Sequence, residues 1–255
     1  MIVDEKLELN SNDKKILFYI YNMLYCGIDP SLISTAMVIG NNSNNFDIFN
    51  YTVKDKVFNK SGMKKWFKMA EENVKYEYVE YRKFKDYSTG EIVKLKDYDL
   101  ITDKIINNIE NYMKINNDYD LTVGIEGYNF GAQIGPLLDL VTFSTLLRKK
   151  LFNISKNIII LSPSTLKLES CKLTYTKVEN NNNKKSKWRN NQNVSGGRFT
   201  KNEMFLAIIE NEKFTDKWFK HLIEVKEDIE IVKNIPKPYD DINDAYLIFK
   251  IMLNN

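Results

Sequence analysis

Five short apolar runs, at residues 24–28, 35–39, 46–53, 121–125 and 158–161, most constrain the fold of this chain. Each is too short for a buried helix, and β-branched residues or turn formers mark them as strands. The first three follow closely, with the turn-forming Gly40-Asn41-Asn42-Ser43-Asn44-Asn45 between the second and third, and predict an antiparallel meander. Before each of the last two comes a helical segment: residues 100–113, with Ile101, Ile105, Ile109 and Met113 on one face, and residues 137–151. Helices are also expected at 12–23, 201–209, 217–225 and 241–253. Three strands, then helix, strand, helix, strand and a helical tail describe an α/β architecture: a mixed five-stranded sheet, its first three strands antiparallel, flanked by helices.

With 255 residues, 43% of them hydrophobic, the chain can bury a real core, which excludes disordered and fibrous classes. Residues 24–255 are expected to form one domain behind an extension at 1–23, with insertions at about 54–97 and 172–198. No run is long enough to span a bilayer, and the acidic start with Asp4, Glu5 and Glu8 is unlike a secretory signal, so an intracellular location is expected. Two cysteines and one histidine support neither a disulfide framework nor a zinc site. The formal charge is +3, but it is uneven: residues 172–201 hold eight basic side chains and one acid. That segment, with Lys184, Lys185, Lys187, Arg189 and Arg198, is expected to meet the phosphates of a nucleic acid. Residues 54–97 combine twelve basic and eight acidic residues with aromatics such as Trp66, Tyr76 and Tyr81.

Four carboxylates fall where this pattern converges. Asp29 ends the first strand in Gly27-Ile28-Asp29-Pro30-Ser31, and Glu126 ends the fourth in Gly124-Ile125-Glu126-Gly127. Strand carboxyl ends face the crevice where α/β proteins place their sites. Asp241 and Asp244 are three residues apart at the start of the last helix and so share a face. Each alone fits a structural role in a turn or helix start. Together they form an all-oxygen set suited to Mg²⁺ or Mn²⁺, and a pair of such ions can drive phosphodiester hydrolysis. No small-molecule cofactor is expected.

These motifs, in their order, resemble the RuvC-like Holliday junction resolvases of the ribonuclease H-like superfamily, especially the phage and large-DNA-virus members. The resemblance runs from Gly27-Ile28-Asp29-Pro30-Ser31 through Ile125-Glu126-Gly127-Tyr128 and Pro163-Ser164-Thr165-Leu166-Lys167 to Gly197-Arg198-Phe199-Thr200-Lys201 and Asp241-Ile242-Asn243-Asp244-Ala245. About thirty residues separate Lys167 from Lys201, where family members have a short glycine-bearing link. The resemblance implies a ribonuclease H-like fold and a homodimer that nicks a four-way DNA junction symmetrically with two Mg²⁺ ions per site, Mn²⁺ serving as substitute. Asp29, Glu126, Asp241 and Asp244 would be the catalytic metal ligands, Lys167 and Lys201 would meet the phosphates, and Tyr128 or Phe130 would stack on an unpaired base. It also implies action in the cytoplasm or at a site of viral or phage DNA replication. Rival readings are a nuclease of flaps, forks or plain duplex, a non-catalytic nucleic-acid binder, and an ATP-binding protein of the actin and sugar-kinase type; the ten glycines supply no second phosphate loop for the last.

Overall fold

A computed structural model describes residues 23–53, 62–81, 84–116, 120–128, 134–178, 187–232 and 234–254. The expected helix at 12–23 lies outside them except for Met23, which opens a strand. Strands β1 (Met23–Asp29), β2 (Ser34–Gly40) and β3 (Phe46–Val53) form the antiparallel meander. The Asn42 side chain ties its second turn by accepting the N–H groups of Asn44 and Asn45, both at 2.9 Å. All seven residues of β2 are buried, Ala36 and Val38 in one core and Met37 and Ile39 in the other, which is why the strand reads as a continuous apolar run.

The sheet has six strands rather than the expected five. Helix α1 (Met63–Ala70) leads into β4 (Lys75–Val79), which pairs parallel to β3 at the edge. Its sequence, Lys-Tyr-Glu-Tyr-Val, hides the strand because an edge position tolerates alternating charges. The aromatic stretch at 54–97 thus supplies α1, β4 and the beginning of α2 (Tyr87–Ile115) to the same fold. Helix α2 begins thirteen residues before the expected residue 100 because Asp86 caps it, accepting the Thr89 N–H at 2.7 Å. After it come β5 (Asp120–Glu126), α3 (Ile134–Ile154) and β6 (Asn157–Leu161), both strands parallel to β1, in the order β4-β3-β2-β1-β5-β6. Helices α2 and α3 cover one face.

The other face carries α4 (Pro163–Thr174), α5 (Lys201–Ile209), α6 (Lys217–Glu224) and α8 (Tyr239–Leu253), with the short α7 (Lys226–Glu230) before α8. Between α4 and α5, β7 (Lys177–Val178) and β8 (Lys187–Trp188) pair as a ribbon. Among the described residues no helix is long and apolar enough to cross a membrane.

Helix α8 lies directly on the sheet because Gly27 of β1 and Gly124 of β5 are partners in register. A Cβ at Gly27 would stand 2.3 Å from the Ala245 carbonyl oxygen, and one at Gly124 would stand 2.5 Å from Ile248 Cγ2. At Gly27 the obstacle is backbone, so nothing can rotate away. Gly27→Ala is expected to lower stability by about 2–3 kcal/mol through overpacking; a urea midpoint unchanged from the parent would show that the helix can lift at no cost.

One polar node holds this layer together. Asp216 caps α6 by accepting the N–H groups of Trp218 at 3.0 Å and Phe219 at 3.1 Å, and it accepts the Tyr246 hydroxyl at 2.6 Å. Lys250 of α8 reaches Asp216 at 2.8 Å with both side chains buried, and donates to the Ser43 carbonyl at 3.0 Å.

Candidate metal centre

The parallel pairing of β1 and β5 aligns Ile28 with Ile125, so the next residues, Asp29 and Glu126, leave the sheet side by side. The close seat of α8 brings Asp244 to the same edge. Carboxylate oxygens of Asp29, Glu126 and Asp244 lie within 4.8 Å of one another. Asp29 and Asp244 are buried and Glu126 is half-buried. This geometry fits a divalent cation: three hard oxygen donors converge, and burial strengthens their field.

Asp241 is directed elsewhere. It is buried, and both of its oxygens accept from the Lys237 ammonium, at 2.5 and 2.7 Å. Lys237 carries no motif signal, so sequence reasoning missed it. Lys201 stands at the first turn of α5, where Thr200 and Glu203 form a reciprocal capping box. Its ammonium bonds Asp244 and lies 3.0 Å from Asp240.

The protons follow from this crowding. Burial raises the Asp29 pKa well above the carboxylate range, and the charges of Glu126, Asp244 and Asp241 push it further. Burial takes Asp244 up to about 8, with Lys201 opposing and Glu126 and Asp240 adding to the rise. Burial also raises Asp241 against the pull of Lys237. For Lys201, burial favours the neutral amine, but Asp244, Asp240 and Asp29 outweigh it and hold the proton on.

A carboxylate whose folded pKa lies above its unfolded value near 3.9 stabilises the fold most below that pH, and loses the contribution as pH rises through its folded pKa. For Asp244 that window runs from about 4 to about 8. A cation must displace the same proton. Melting in EDTA is therefore expected to fall between pH 5.5 and 8.5, and 5 mM Mg²⁺ to raise the melting temperature more at the higher pH, with roughly those values chosen to bracket the window. Equal Mg²⁺ shifts at both pH values would show that no proton is exchanged for the ion.

The remaining expected contacts are scattered. The Tyr128 ring lies 4.4 Å from the Arg148 guanidinium of α3, which also donates to the Glu126 carbonyl at 3.4 Å. Arg148 is thus a further cation beside the centre, hidden in sequence within an ordinary amphipathic helix. Lys167 is half-buried on α4 and makes none of the centre's ion pairs. Lys187 is exposed on β8, Arg189 closes a turn by donating to the Asn193 carbonyl at 2.6 Å, and Arg198 is exposed at the end of a 3-10 turn. Among the described residues of the basic segment, Lys201 alone joins the carboxylates; Lys172, Lys177 and Arg189 line a cavity with Trp188 and Lys213 at the opposite end of α5. Phe130, Lys184 and Lys185 lie outside the described residues.

No protein-family model matches the chain, and no curated protein matches it. Among solved structures it is similar to Thermus thermophilus RuvC in complex with a Holliday junction substrate, with a TM-score of 0.44 and 10% identity over 90% of this chain and 91% of that one. It is likewise similar to a second Thermus thermophilus RuvC structure, with a TM-score of 0.43 and 10% identity over 90% of this chain and 92% of that one.

Proposed function

We propose that this chain is a divalent-metal-dependent endonuclease of branched DNA that resolves four-way junctions by paired nicking. The observation that carries the reading is the convergence of Asp29, Glu126 and Asp244 within 4.8 Å, with the Lys201 ammonium against Asp244. A bound divalent cation supplies Lewis-acid charge for phosphodiester hydrolysis. Asp29 and Glu126 hold their donors rigidly because strand ends fix them, and Asp244 adds a donor from the helix. Lys201, once the ion neutralises Asp244, has an ammonium to offer a phosphate oxygen. Arg148, over Tyr128, offers a second cation on the α3 side. In this reading Mg²⁺ is the working ion and Mn²⁺ its substitute.

Preference for a junction rests on the ordered sequence motifs. Two symmetric nicks need two centres, so the proposal includes a homodimer. It is supported by the exposed apolar side chains Ile134 and Leu138 on α3 and Ile92 and Leu95 on α2.

The test incubates the protein with a labelled four-way junction, a linear duplex and a flap, in Mg²⁺ or in EDTA. Metal-dependent paired nicks confined to the junction are expected. Equal cleavage of all three would remove the resolvase assignment and leave the nuclease; strong binding with no cleavage in Mg²⁺ or Mn²⁺ would turn the reading to a nucleic-acid binder.

A further inference from the structure

We infer that Lys237 is a resident cation that takes the place of a second metal ion, so that the centre holds one divalent ion beside a fixed ammonium. The inference deepens the metal-dependent reading and rests on it.

Four carboxylates were expected to share the metals, yet three converge and the fourth is turned to a lysine. Both oxygens of Asp241, a side chain 5% exposed, are engaged by the one ammonium of Lys237, whose own side chain is 26% exposed. A second ion seated on Asp241 would have to break that paired contact, the costly way to open a buried ion pair. Lys237 is well placed to stay. It lies four residues before Asp241, between Pro236 and Pro238, whose rings restrict the backbone just ahead of α8. Its ammonium also feels the charges of Asp240 and Asp29, so it stands in the field that a second ion would occupy. Lys201 does not play the same part: its partner Asp244 belongs to the converging three, so an ion bound there competes with it directly.

Lys237 is therefore a positioning residue. It compensates Asp241 at all times, whereas an exchangeable ion would do so only when bound. It also keeps Asp241 out of the converging set.

Mn²⁺ binding to the full chain without DNA, followed by calorimetric titration and by the electron-spin resonance of free Mn²⁺, tests this. Wild type is expected to saturate at one ion per chain. Lys237→Met exposes Asp241 to solution cations and should bind two, Lys237→Arg should return to one, and the double variant Lys237→Met, Asp241→Asn should also bind one. Two ions on wild type, or one on Lys237→Met, would overturn the inference. If Lys237→Met does not fold, the wild-type count and the Lys237→Arg count still decide: one and one support it, two on either refute it. Failure of the underlying reading looks different: no Mn²⁺ bound to wild type, or Mn²⁺ binding untouched by Asp29→Asn and Glu126→Gln, would remove the metal centre itself.

Discussion

Asp29→Asn is expected to reduce metal-dependent DNA cleavage by at least about 10³-fold, since losing a metal-directed charge removes several kcal/mol of transition-state stabilisation. Asparagine keeps the shape and the strand-end position but offers a neutral oxygen. Asp29 feels the charges of Glu126, Asp244 and Asp241 together, so its loss affects every donor around it. The same substitution should not harm the fold. Without a metal, Asp29 is a buried carboxylate among like charges, and replacing it with an amide relieves that repulsion. In EDTA the variant is therefore expected to melt at or above the wild-type temperature while cleaving nothing. Side-by-side melting curves and nicking assays on one preparation separate the two effects. Cleavage within tenfold of wild type would mean that the centre lies elsewhere.

The second large effect concerns stability. Asp216→Ala is expected to cost about 3–5 kcal/mol, the range for breaking a buried pair by removing one partner. It strands the Lys250 ammonium beneath the rings of Phe46, Phe214 and Tyr246, unties the Tyr246 hydroxyl and uncaps α6. Lys250→Met should cost less, because Asp216 keeps three donors and methionine fills the apolar slot. Adding Lys250→Met to Asp216→Ala should restore part of the loss, a coupling that a double-mutant cycle of urea midpoints would measure. Additive costs would show that the two groups act independently.

The order of the strands and the positions of Asp29 and Glu126 could be read from sequence because buried strands are dense apolar runs and a carboxylate ending one is conspicuous. Strand β4 could not, since an edge strand keeps its charges in water and blurs its own period. Nor could the full length of α2, whose first three turns carry the exposed Tyr87, Ile92 and Leu95 rather than a clean buried stripe. The spacing of Asp241 and Asp244 placed both on one helical face but said nothing about partners. Asp244 meets the sheet carboxylates while Asp241 meets a lysine from the preceding loop, a contact fixed by tertiary structure alone. The basic run at 172–201 was visible as charge, but its division between Lys201 at the centre and Lys172, Lys177 and Arg189 at the far end of α5 depends on how α4 and α5 fold back on each other.

The paired glycines under α8 work as a ruler. Where helix and sheet meet through backbone atoms, their separation has a floor that no exchange of bulk elsewhere in the core can lower, and any side chain at the contact can raise it. The gap between the carboxylates on the strands and the carboxylate on the helix inherits that tolerance. Large apolar residues around the contact can trade volume and the protein will repack, but a single methyl at position 27 would widen the spacing of those carboxylates.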